Sequence, residues 1–161
     1  MNLRFLIIPC FRFLAVVGMT FWLGGFTFYS AIVIPILHDE MGGLESGMIT
    51  GQVSNYLNVF GVAAVVSWWT LLCVERSERD RGARWLRVGL LILTSAVLAG
   101  LITLHPVLDA KLDTGEMRAF YPLHQVYLVA SSIQWGINLT LIAITVWIWR
   151  PEPSSPDTDV L

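Results

Sequence analysis

Between Arg12 and Asp39, Glu45 and Glu75, Arg87 and Asp109, and Arg118 and Arg150 the chain carries no Asp, Glu, Lys or Arg. Each of these four intervals is long enough for a helix of roughly 20 residues, the length that crosses ~30 Å of hydrocarbon. In lipid a single segment must satisfy its own backbone N–H and C=O groups, and only an α-helix does so. The expected fold is an all-α integral membrane protein of four antiparallel transmembrane helices, with spans at about 13–37, 56–74, 85–104 and 125–149. These spans make up a domain over 1–150, and the proline- and serine-rich stretch 151–161 reads as a disordered polar tail. With 55% hydrophobic and 14% charged residues, the chain is too apolar for a soluble domain and lacks the basic surface of a nucleic-acid binder.

The charges that remain are sorted by side. Arg4, Arg12, Arg76, Arg79, Arg81, Arg84, Arg87 and Arg150 fall at one set of span ends, whereas the other set holds only Lys111 and Arg118. By the positive-inside rule both termini are cytoplasmic. Cys10 and Cys73 then lie in reducing surroundings, and no disulfide is expected. The run before Arg12 is too short for a signal peptide and reads as an interfacial lead-in.

Within the spans, Pro35 lacks the donor to the carbonyl four residues back and predicts a kink near Ala31. The glycine-rich, acidic interval from His38 to Asn55 reads as an outer loop, and Trp68 and Trp69 as interfacial aromatics. Thr20, Gly24, Thr27, Ala31 and His38 share a small, weakly polar face suited to close helix contact. In the third span Gly89, Ala96 and Gly100 lie opposite Thr94 and His105.

The fourth span carries a polar seam. At about 100° per residue, His124, Tyr127, Ser131, Gln134 and Asn138 fall in one stripe of a helix. Such a stripe turns away from lipid, toward other helices or a small cavity. Thr20, Thr27, Asn58 and Thr94 are the expected hydrogen-bond partners across the bundle. No ionisable group lies at mid-depth, so packing is favoured over a transport path.

All three histidines, His38, His105 and His124, sit at the same-side ends of the first, third and fourth spans. His105, Asp109 and Asp113 recur every four residues and align if the helix continues through Pro106. Imidazoles with a carboxylate suit haem b, copper or zinc, so His105, His124, His38 and Asp109 form a candidate metal or haem site. Histidines at a membrane interface also cap helices and face water, and that alternative stays open.

Trp22-Leu23-Gly24-Gly25-Phe26-Thr27-Phe28-Tyr29 with Pro35, Phe120-Tyr121-Pro122-Leu123-His124 at the start of the last span, and Asn138-Leu139 within it carry a resemblance. In these residues the chain resembles a bacterial four-helix membrane family of unknown function related to transmembrane protein 205 and, more remotely, to copper-resistance-D-type membrane proteins. The resemblance implies the same four-span topology in a bacterial plasma membrane. Related membrane protoporphyrinogen oxidases carry a histidine early in their first helix, where this chain has Phe11, Arg12 and Phe13, so their activity is not carried over. The leading expectation is a membrane protein with an outer metal or haem site and no catalytic motif. The alternatives are a structural or interaction subunit, associating with a membrane partner or a second copy, and a membrane oxidoreductase acting on a quinone or porphyrin.

Overall fold

The computed structural model describes residues 4–75 and 81–150, so the expected tail over 151–161, together with Arg76 and Arg79, lies outside the described residues. The elements are α1 (Arg4–Phe28), a five-residue π segment (Tyr29–Val33), α2 (Ile34–Met41), α3 (Gly43–Val74), α4 (Arg81–Asp113) and α5 (Met117–Ile148). Four helical stretches are long and apolar enough to cross a membrane: Ile7–Met41, Glu45–Val74, Arg81–Asp113 and Met117–Ile148.

The first stretch stays helical past Pro35 by widening one turn. The N–H of Ile34 donates to the carbonyl of Tyr29, five residues back. Proline cannot donate to the residue four back, and its ring crowds that carbonyl; one extra residue in the turn makes room. The expected deformation near Ala31 is therefore a π turn over Tyr29–Val33. Pro106 and Pro122 lie within α4 and α5, and Pro9 within α1, without interrupting them.

The interval His38–Asn55 differs from the expected loop: it is helical on both sides of Gly42, whose φ of 77° is the break between α2 and α3. Gly47 and Gly51 serve packing. A Cβ on Gly47 would lie 3.4 Å from Leu112, and one on Gly51 3.2 Å from the Asp109 carboxylate, so these positions let α3 approach α4 closely. At the far end of α4, Glu116 N–H bonds to the Lys111 carbonyl and Gly115 N–H to that of Leu112, with Gly115 at φ 69°. This glycine-centred cap satisfies the last carbonyls and turns the chain into α5.

Contact is extensive between α1 and α3, α3 and α4, and α4 and α5, and sparse between α1 and α5. The α1–α3 seam depends on small residues: a Cβ on Gly18 would meet Ala64 at 3.6 Å, and Gly61 lies under the Trp22 ring. Trp68 is fully buried in the main core, where its Nε1 donates to the Ala15 carbonyl at 2.9 Å. Trp69 donates to Ser95 Oγ at 3.2 Å. Both therefore tie helices together, a role the reading as interfacial aromatics does not include, because an indole N–H packed among helices needs a protein acceptor. The face Thr20, Gly24, Thr27, Ala31 and His38 is exposed instead of packed, as are Gly89, Ala96 and Gly100. Across this bundle the large side chains, Trp22 and Leu91 among them, already fill the core.

Candidate functional site at the histidine end

The seam of α5 is buried: Tyr127, Ser131, Gln134 and Asn138 are each less than one-tenth exposed. Thr94, on the facing side of α4, takes two of them. Its hydroxyl donates to Asn138 Oδ1 at 2.8 Å, and its carbonyl accepts from Gln134 Nε2 at 3.2 Å. Asn58 Nδ2 on α3 donates to the Tyr127 hydroxyl at 3.3 Å. Thr27 accepts from Trp135 Nε1 at 3.0 Å, whereas Thr20 is exposed away from the seam. Spacing on α5 alone places four polar residues in register. Two partners come from Thr94 because α4 packs along α5, and Asn58 reaches Tyr127 from α3.

The three histidines are in different surroundings. His38 is exposed on α2. His124 is half-buried and stacks on Phe120, with ring centroids 5.3 Å apart at 14°. His105 is buried on α4, and its ring lies 6.0 Å from that of Tyr127. Since α4 continues through Pro106, Asp109 follows one turn later on the same face, with its Oδ2 3.5 Å from His105 Nε2. A pocket of about 250 Å³ opens over this pair, lined by Met48, Gly51, Gln52 and Asn55 of α3 and by His105, Asp109, Leu112 and Asp113 of α4. Its lining includes neither His38 nor His124. Among the described residues no group of three or more His, Cys, Asp or Glu is arranged to hold a metal ion. The pocket thus has one imidazole and one carboxylate in register, a second carboxylate on its wall, and amides facing them from α3.

Sequence reasoning missed the wall supplied by α3, because Met48, Gly51, Gln52 and Asn55 were assigned to a loop. Their spacing of three and four residues was the available signal.

It also missed the site at the opposite end of the bundle. Glu75, directly after α3, has a side chain only 7% exposed. Its Oε1 accepts from Arg12 Nε at 2.6 Å and from Trp149 Nε1 at 2.9 Å, and its Oε2 from Arg87 at 2.8 Å. The Arg12 guanidinium also lies 4.8 Å from the centre of the Trp149 ring, a cation–π contact. One carboxylate so joins α1, α3, α4 and α5. The signal was a single acid at a span end beside a run of arginines.

The described chain is all-helical, with four stretches of membrane-spanning character, one polar pocket at the histidine end and one ion cluster at the arginine end. Neither family models, nor curated proteins, nor solved structures provide a match to this chain.

Proposed function

We propose that the protein is a multi-pass membrane protein that binds a transition-metal cation of the zinc type at its histidine end, through His105 and Asp109. In this reading the four spans are antiparallel, the arginine end is cytoplasmic and the pocket opens on the other side of the membrane. The arginine asymmetry supports that orientation. The likeness of the Trp22–Tyr29 and Phe120–His124 stretches to the transmembrane-protein-205-related family supports the same topology.

The observation that carries the reading is the 3.5 Å between His105 Nε2 and Asp109 Oδ2. Two ligands each 2.0–2.1 Å from one tetrahedral zinc ion lie roughly 3.3–3.4 Å apart, so the pair needs little adjustment to share a cation. Water completes the shell, and Asn55 and Gln52 supply neutral acceptors at its edge. A bis-histidine haem site through His105 and His124 would need both rings beside the same space, and His124 instead stacks on Phe120. The pocket is a binding site with waters in the coordination shell, and no nucleophile or acid–base pair is assigned to it.

The test is equilibrium binding of Zn²⁺ to the purified protein in detergent. One saturable site is expected, with affinity falling as the solution is acidified because the imidazole must be deprotonated to ligate. Asp109→Asn should weaken binding at least about 10-fold. Unchanged affinity in Asp109→Asn would refute the assignment.

A further inference from the structure

The arginine end of the bundle is short of acceptors. Among the described residues the acid at this end is Glu75, and its two carboxylate oxygens are taken by Arg12, Arg87 and Trp149. Two guanidinium groups thus share one carboxylate, and a positive charge is left over. The Arg87 side chain is 6% exposed, and its Nε is buried with no hydrogen-bond partner among the described residues. Buried donors ordinarily find acceptors, so an orphan beside a fully used carboxylate marks a cluster with more cation than its own groups balance.

The surroundings add charge of the same sign. Arg84 precedes Arg87 by one turn of α4, which makes the two neighbours along the helix, and Arg81 lies one turn further out. Arg81, Arg84 and Arg150 are exposed and form no ion pair among the described residues. The Arg12 side chain, over the Trp149 ring, is 40% exposed and reaches the same surface. The stretch 76–80, outside the described residues, adds two arginines and two acids, which cancel. Tryptophan sets the depth. Trp85 follows Arg84 directly and is 73% exposed, and Trp147, three residues before Arg150, is 69% exposed. Exposed indoles on a membrane-spanning bundle settle at the headgroup level, where lipid phosphates lie.

We propose that the arginine end binds the headgroup of an anionic phospholipid, with Arg84 and the exposed face of Arg12 as its phosphate-binding groups. A guanidinium fork takes phosphate oxygens in pairs. Beneath them the Arg87–Glu75 pair stays intact and holds Arg12 by its Nε. A zwitterionic headgroup brings a cation of its own, which these arginines repel, so the lipid bound is one of net negative charge. Neither the cation reading of the His105 pocket nor the direction of insertion enters this inference.

The experiment uses the full chain in phosphatidylcholine nanodiscs containing a minor fraction of phosphatidylglycerol, in physiological salt. Bromine near the glycerol end of the acyl chains of one lipid or the other quenches the exposed Trp85 and Trp147, and the two quenching curves give a relative association constant. The wild-type protein should prefer phosphatidylglycerol about five-fold or more. Arg84→Gln should lose most of that preference, since one arginine near an anionic surface is worth about a five-fold change. Arg118→Gln, which removes an exposed arginine from the opposite end, should leave it unchanged. A wild type indifferent to the two lipids overturns the proposal, as it would be if Glu152, Asp157 and Asp159 already answered these arginines. An unchanged preference in folded Arg84→Gln overturns it as well, and so does an equal fall in Arg84→Gln and Arg118→Gln, which net charge alone would explain.

Discussion

Glu75 is the residue on which most of the bundle converges. Its carboxylate accepts from Arg12, Arg87 and Trp149, and the Arg87 side chain is 6% exposed, so neither charge is solvated when the other is missing. Breaking a buried pair by removing one partner costs about 3–5 kcal/mol. Glu75→Ala should therefore lower the unfolding free energy in detergent by that amount, and Arg87→Ala should cost less in the Glu75→Ala background than alone. A loss below about 1 kcal/mol, as for a solvated surface pair, would contradict the buried cluster. The seam residues of α5 were legible because helical period alone puts Tyr127, Ser131, Gln134 and Asn138 in line. Their partner was legible only as one threonine among several. Thr94 takes two of them because α4 lies against that stripe, and helix adjacency is a tertiary fact that periodicity on one helix does not contain.

At the scale of elements, the four apolar stretches were readable from charge-free length, and their ends were not. The interval from His38 to Asn55 resembles a turn by composition. Its glycines are nonetheless mostly helical, since α3 needs Gly47 and Gly51 to lie close to Leu112 and Asp109. A glycine at a turn and a glycine at a close helix crossing have the same letter and opposite causes. Only Gly42, at φ 77°, and Gly115, at φ 69°, use the backbone freedom that a side chain would deny. Pro35 was readable as a local disturbance; its form, a π turn that begins at the buried Tyr29, whose hydroxyl donates to the Thr50 carbonyl at 2.9 Å, was not. The α1–α3 crossing yields a prediction of its own. A Cβ on Gly61 would stand 2.5 Å from the Trp22 ring, a rigid group with no flexible end to yield. Gly61→Ala should cost about 1–3 kcal/mol of stability by overpacking, despite the higher helix propensity of alanine. A neutral or stabilising result in thermal unfolding would show that the crossing is looser than described.

For the whole molecule, the two ends have different chemistry: arginines and the Glu75 cluster at one, histidine and acids at the other. Which end faces the cytoplasm is tested by labelling intact cells with a membrane-impermeant thiol reagent. Cys10 and Cys73 are free and not covered by the protein itself. With the arginine end inside, both should resist the reagent, while a cysteine introduced at exposed Thr114 should react. Reaction of native Cys10 in sealed cells would reverse the orientation. The central claim is that the cation site belongs to His105 and Asp109 and not to a three-histidine cluster. It is tested most directly by the stoichiometry of zinc bound to the purified wild-type protein, His105→Ala and His124→Ala after equilibration with the metal. The account predicts near-stoichiometric zinc on the wild type and on His124→Ala, and loss of it on His105→Ala. Loss of zinc on both variants, or retention on His105→Ala, would contradict it.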